Sequence, residues 1–173
     1  MNGLAKQARG AMETALILIG NEARNHFVDS FKKQGFEDKA VQKWIPRKKQ
    51  DKRAGRAILV KSGDLRRSII RGAISKTALS VKIKTDLKYA HIHNFGGVIN
   101  KKSRTAILSF NKKGGFAKQR TEKQRAKTSY QQKAEIGAHS VVMPKRQFVG
   151  DSYNLNEKVK KIVVNKLDSL FKK

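Results

Sequence analysis

The chain has 173 residues, 38% of them apolar and 31% charged, with 40 lysines and arginines against 13 acids and a formal charge of +27. That length suits one domain with its own core, while so large a charge excess repels itself in a compact monomer unless a polyanion or an extended surface relieves it. The sequence contains no cysteine, which excludes disulfides, Cys-based zinc sites and thiol nucleophiles and fits assembly in a reducing cytosol.

From about residue 4 to 34 the pattern is helical. Ala8, Met12, Leu16, Ile19, Ala23, Phe27 and Phe31 recur three or four residues apart and form one stripe. Gly35 stands where a helix stop is expected, and Gly20 is a point where the helix bends or admits a close neighbour. The longest apolar run here, Ala15 to Ile19, is five residues. It is too short to span a bilayer, so neither a signal peptide nor a membrane anchor is expected.

Residues 36–57 read as a loop. Trp44-Ile45-Pro46 is an apolar anchor, followed by Arg47, Lys48, Lys49, Lys52, Arg53 and Arg56 with only Asp51 opposing. Two readings stay open, a solvated connector and a basic surface that meets DNA or an acidic neighbour. In Ser62-Gly63-Asp64-Leu65-Arg66-Arg67-Ser68-Ile69, Ser62 is placed to cap a short helix and Asp64 to favour its positive end. Strands are expected over 69–75 and 79–85, with Val81 and Ile83 alternating with Lys82 and Lys84. The turn between them, 75–78, lacks Asn-Gly.

Tyr89 to Gly97 reads as a short helix or turn closed by a glycine pair, with Tyr89, Ile92 and Phe95 buried together and Gly96 ending it. The stretch 98–140 differs in character. Between 101 and 133 it holds eleven lysines and arginines and a single Glu122. It reads as a long, mobile, basic insertion, with Ala106 to Phe110 as a short strand and room for a hairpin at its base. A strand restarts at Val141, and Pro144 either ends it or places it on an edge. From Asn156 to Phe171, Val159, Ile162, Val163, Lys166, Leu167 and Leu170 keep helical spacing, with Asp151 or Asn156 as the cap.

Catalytic chemistry finds little support. His91 and His93 would face the same way on a strand, yet no Asp, Glu or Cys adjoins them to complete a ligand set, so structural histidines are the expectation. Gly96-Gly97 lacks the Lys-Ser/Thr ending of a phosphate loop. Carboxylates are sparse and scattered, against a nuclease or glycosidase built on paired acids. No enzyme and no cofactor are expected.

The order of the segments carries more than any one of them. Leu59-Val60-Lys61-Ser62-Gly63-Asp64-Leu65-Arg66-Arg67-Ser68-Ile69 resembles the L-x-x-S-G-x-L-x-x-S-I element of phage virion morphogenesis proteins, also called tail completion proteins. Tyr89 to Gly97 resembles that family's Y-A-x-x-H-x-F-G-G element, and Pro144 to Gly150 its P-x-R-x-F-h-G element, h being apolar. Trp44 in a basic loop after a long first helix also fits the family's layout. The insertion at 98–140 departs from the pattern, so the resemblance implies nothing for it.

The resemblance implies a non-enzymatic α+β fold, in which a long N-terminal helix and a C-terminal helix pack a small antiparallel sheet. With the long basic loop or hairpin inserted at about 98–140, residues 1–173 would form a single domain. It implies that Ser62 and Gly63 form a turn and cap, that Leu65 and Ile69 are core, and that Tyr89, His93 and Phe95 hold the short helix with Gly96. Arg146 and Phe148 would lie near a sheet edge where a neighbour docks.

The family resemblance and the charge together give the expected function. It would be that of a structural protein of a tailed phage, a homo-oligomeric ring of six or twelve copies that completes the tail or joins it to the head. Its partners would be itself, neighbouring portal, neck and tail proteins, and double-stranded DNA held through phosphates; no membrane is involved. Its location would be the virion, after assembly in the host cytoplasm. The DNA-facing candidates are Arg47, Lys48, Lys49, Lys52 and Arg53 in the first basic loop. In the insertion they are Lys101, Lys102, Arg104, Lys112, Lys113, Lys118, Arg120, Lys123, Arg125 and Lys127. An acidic tail or neck protein is an equal alternative for the insertion. The competing class is a free, sequence-nonspecific nucleic-acid-binding protein. Phe110, Phe116 and Tyr130 are the only aromatics among the insertion's basic residues, which supports a stacking surface for single strands poorly.

Overall fold

A computed structural model describes residues 2–47, 51, 54–117 and 130–171. The chain divides into two compact units, one formed by residues 1–97 and 144–173 and the other by 98–143.

The first unit is built on α1 (Asn2–Lys33) and α4 (Tyr153–Phe171). The stripe read from the sequence is the buried one: Leu16, Ala23, Phe27 and Phe31 of α1 turn inward, as an amphipathic helix must. Leu155 and Val159 of α4 join the same core, and Lys158 reaches Glu22 at 2.6 Å. Gly20 does admit a close neighbour. A Cβ there would lie 2.5 Å from Cδ of Arg71 and 2.8 Å from Cγ2 of Val81, so the segments that carry these two residues rest against the helix at that point.

Between the helices, β1 (Gly35–Glu37) and β2 (Val41–Lys43) form an antiparallel hairpin inside the stretch read as a loop. Strands of three residues are too short to show alternation, which is why the pattern hid them. Gly35 is not the helix stop. Gln34 takes the left-handed position, at φ 52°, and Gly35 instead lets the backbone of Gln42 approach to where a Cβ would sit 2.5 Å from its carbonyl oxygen. Trp44 N–H then donates to the carbonyl of Gln34 at 2.9 Å and closes the hairpin onto the helix end.

The short helix α2 (Asp64–Ser68) forms as expected, but Ser62 does not cap it. Gly63 holds the N-cap position at φ 77°, and the Ser62 hydroxyl bonds the Asp64 carboxylate instead. The strands β3 (Ile70–Ser75) and β4 (Ser80–Lys84) pair antiparallel, with Val81 and Ile83 half-buried and Lys82 and Lys84 exposed. Leu79, at φ 45°, supplies the left-handed turn residue that Asn-Gly would have offered.

The helix α3 (Ala90–Phe95) ends where Gly96, at φ 76°, donates its N–H to the carbonyl of Ile92. Its buried face is not Tyr89, Ile92 and Phe95. Ala90 and Asn94 are buried, whereas Phe95 is 61% exposed and Tyr89 is exposed too. A helix of under two turns places i and i+4 on one line, and the polar Asn94 won that line because its amide has backbone groups to satisfy. His91 and His93 lie on this helix and not on a strand, so they do not share a face; His91 is exposed and His93 half-buried. The cap of α4 is Ser152, whose hydroxyl accepts from the N–H of Leu155 at 3.2 Å, while Asp151 and Asn156 bond each other.

The second unit contains the insertion, and most of its described residues are in strands. β5 (Gly97–Lys101) pairs with β8 (His139–Met143), and β6 (Arg104–Phe110) pairs antiparallel with β7 (Tyr130–Ile136), Arg104 opposite Ile136 and Phe110 opposite Tyr130. The α+β expectation holds, with the single small sheet replaced, among the described residues, by four two-stranded ones. No described residue of 98–143 is buried.

Candidate assembly joint and basic surfaces

Segment 144–150, which follows β8, carries the third motif and adopts no regular structure. Its backbone polar groups must therefore find partners elsewhere. Asn94 supplies three of them. Its Oδ1 accepts from the N–H of Phe148 at 2.9 Å and of Val149 at 3.0 Å, and its Nδ2 donates to the carbonyl of Val149 at 3.0 Å. Arg146 N–H donates to the carbonyl of His93 at 2.9 Å. The Trp44 indole N–H donates to the carbonyl of Gln147 at 2.6 Å, and the Arg146 guanidinium donates through Nε and Nη2 to the carbonyl of Ile45 at 3.3 and 3.2 Å. The second and third motifs and the tryptophan are thus one joint.

The joint is sealed by aromatic packing. Phe148 is 1% exposed, with its ring 5.4 Å from that of Phe31, which meets Trp44 edge-on at 5.5 Å. Arg146 and Phe148 therefore do not form a docking edge. Phe148 is core, and Arg146 spends its donors on a backbone carbonyl inside the protein. Burial, with Arg47 adding to it, lowers the Arg146 pKa. Burial and then the Arg146 charge lower His93, which disfavours its imidazolium. Beside the joint a groove of about 570 Å³ is lined by Ile69, Ile83, Leu87, Phe95 and Val149, with Lys84, Lys145 and Asp151 among its polar groups.

The remaining motif residues have distinct places. Leu65 and Ile69 are core, as the resemblance implied, while Ser62 and Gly63 form the turn before α2. Tyr89 meets His93 edge-on at 5.8 Å. Three residues that sequence reasoning passed over hold the joint and its frame: Asn94, Gln34 and Ser152. Gln34 accepts from Ile58 N–H and donates to the carbonyl of the same residue, pinning the end of the basic loop. A lone Asn beside two histidines gives no signal of such a role until its partners, more than 50 residues away, are known.

Of the basic candidates, Arg47 is half-buried and donates to the carbonyl of Arg56 at 2.8 Å, with Asp51 at 3.9 Å. It holds its loop together. Lys101, Lys102, Arg104, Lys112 and Lys113 are exposed on the second unit and make no ion pair among the described residues. Lys48, Lys49, Lys52, Arg53, Lys118, Arg120, Lys123, Arg125 and Lys127 lie outside the described residues. Among the described residues no three His, Cys, Asp or Glu side chains gather as a metal site would need, and no helix is long and apolar enough to cross a membrane.

A family model described as the phage virion morphogenesis family matches residues 19–168, a span that includes all three motifs, the whole second unit and most of the first. Comparisons with curated proteins and with solved structures give no significant match. With the match covering most of the chain, the protein belongs to the phage virion morphogenesis family and serves the structure or assembly of a phage particle.

Proposed function

We propose that the chain is the subunit of a homo-oligomeric ring that completes the tail of a tailed phage or joins it to the head, with its basic surface turned to the DNA. The observation that carries this reading is the state of the second unit. It exposes Val98, Ile107, Phe116, Tyr130 and Val142 and buries no described residue. Exposed apolar side chains on two-stranded sheets with open edges are what a neighbouring copy covers. The same unit carries six basic side chains against Glu135 among its described residues, which suits loose, sequence-blind contact with phosphates.

The test is the mass in solution by light scattering, over a range of protein concentration and salt, alone and with neck and tail proteins of the same phage. The expected result is a defined species of six or twelve times the 19.5 kDa chain, formed alone or on adding the partners. A chain that stays monomeric with those partners, yet binds free DNA with steep salt dependence, overturns the ring and leaves the free nucleic-acid-binding reading.

A further inference from the structure

The three aromatics of the second unit, scattered in sequence, meet at one end of the β6–β7 hairpin. Phe110 ends β6 directly opposite Tyr130, which begins β7, and their rings are nearly parallel, 12° apart with centroids at 5.0 Å. After Phe110 the chain turns back on itself. The Asn111 carboxamide accepts from the N–H groups of Lys113 and Gly115, Gly114 takes φ 75°, and Asn111 N–H donates to the carbonyl of Gly115. This brings Phe116 against the other side of Phe110, with rings 25° apart at 5.4 Å, and Ala117 N–H closes on the carbonyl of Ser109 at 2.7 Å. Three chain segments thus place three rings in a row, with Phe110 in the middle. Phe116 is 71% exposed and Tyr130 51% exposed.

A row of stacked rings whose end members are open to water is an unfinished stack. Folding alone gives no reason to leave it so, because each end ring keeps a large apolar face in solvent. The surroundings select the ligand. Lys112 and Lys113 stand in the turn that joins the first two rings, and the unit as described is net positive, so an anionic planar group fits better than an apolar helix or a basic peptide. We propose that this hairpin end is a stacking platform for unpaired nucleobases, with single-stranded DNA as its ligand. Bases extend the row beyond Phe116 and Tyr130, while Lys112 and Lys113 hold the phosphates. Intact duplex does not satisfy the platform, since its bases are already stacked on each other. The site adds to the DNA-facing role above and rests on that reading for the identity of the polyanion.

The experiment uses the full chain and measures fluorescence anisotropy of a labelled ten-nucleotide oligothymidylate and of a duplex of the same length, at several salt concentrations. Wild type is expected to prefer the single strand. Phe116→Leu keeps the apolar bulk and removes the aromatic face, and Tyr130→Phe keeps the face. The first is expected to weaken single-strand binding by roughly 5- to 100-fold with duplex binding unchanged, and the second to leave both unchanged. The pair Lys112→Gln and Lys113→Gln is expected to weaken both ligands and flatten their salt dependence. Equal single-strand binding by Phe116→Leu and wild type overturns the platform, and if duplex still binds the DNA-facing reading stands. A wild type that binds neither DNA overturns both. If Phe116→Leu changes the oligomeric mass and not the DNA affinity, the rings are a protein contact and the platform is refuted.

Discussion

Replacing Asn94 by alanine tests whether the joint is what holds segment 144–150 in place. The variant removes one side chain and orphans three backbone groups: the N–H of Phe148, the N–H of Val149 and the carbonyl of Val149. A buried polar group left without a partner costs about 1–3 kcal/mol. Phe148 is buried, whereas Val149 is only half-buried and can be reached by water, so its two groups fall at the low end of that range. The loss is then about 3–5 kcal/mol, a large share of the ~5–15 kcal/mol that stabilises a typical domain. With a urea dependence of roughly 2 kcal/mol per molar for a chain of this size, the midpoint falls by about 1.5–2.5 M. Trp44 is the only tryptophan and donates into the same joint, so its fluorescence follows this transition. The neighbouring Phe148→Ala costs about 3–5 kcal/mol through the cavity it leaves. The two changes act on one joint and must be sub-additive. A midpoint shift for Asn94→Ala under about 0.5 M, or full additivity with Phe148→Ala, would refute the joint as drawn.

Two further expectations concern the first unit. Ser152→Ala removes the cap of α4 and should lower stability by about 1 kcal/mol, while Asp151→Ala, whose exposed carboxylate accepts from the Asn156 side chain, should cost little; equal effects would return the cap to Asp151. His26, buried between α1 and β1, has its pKa lowered first by desolvation and then by Lys158 and Lys33, against opposing effects from Glu37. The unfolded chain therefore takes up a proton near pH 6.5 that the native state resists, so stability is fully present above that pH and declines as pH falls below it. Urea midpoints of wild type and His26→Gln measured from pH 7.5 to 5.5 should diverge, with wild type losing more; parallel curves would show that His26 does not titrate differently on folding.

Where apolar spacing governs the structure, the sequence was readable. The stripe of α1, the alternation in β4 and the periodic face of α4 each follow from burying one side of a regular element, and periodicity reports that directly. What failed to show was settled by polar groups acting at a distance. Asn94 took the inward line of α3 from Ile92 because three backbone groups of 148–149 needed it, and no local pattern carries information about a partner 54 residues away. The left-handed positions misled in the same way. Gly35 and Ser62 look like a stop and a cap by type, yet Gln34 and Gly63 take those roles, and Gly35 is required by the approach of Gln42. The aromatic row is the extreme case. Phe110, Phe116 and Tyr130 look dispersed along the chain, and only the register of β6 on β7, with the tight turn after Phe110, aligns them.

The family motifs also acquire a physical meaning that their role as markers does not supply. Motif residues cluster where two stretches without shared secondary structure must be tied together, around α3 and segment 144–150, and most of them are spent inside the first unit. What of that joint faces outward includes Tyr89, His91, Phe95 and the groove beside it. The second unit lies between the two motifs in the chain and has the opposite economy, with its charges and large apolar side chains outside and no described residue buried. Two-stranded sheets of that kind are marginal in water, because ordering each residue's backbone costs about 1–2 kcal/mol and burial returns too little. In the proposed ring, a neighbouring copy and the DNA would supply what burial inside the unit does not. Covering the apolar residues without neutralising the lysines would crowd like charges together, and neutralising them alone would leave the apolar surface wet. On that proposal the two partners would act together on this unit, while the first unit has a core of its own.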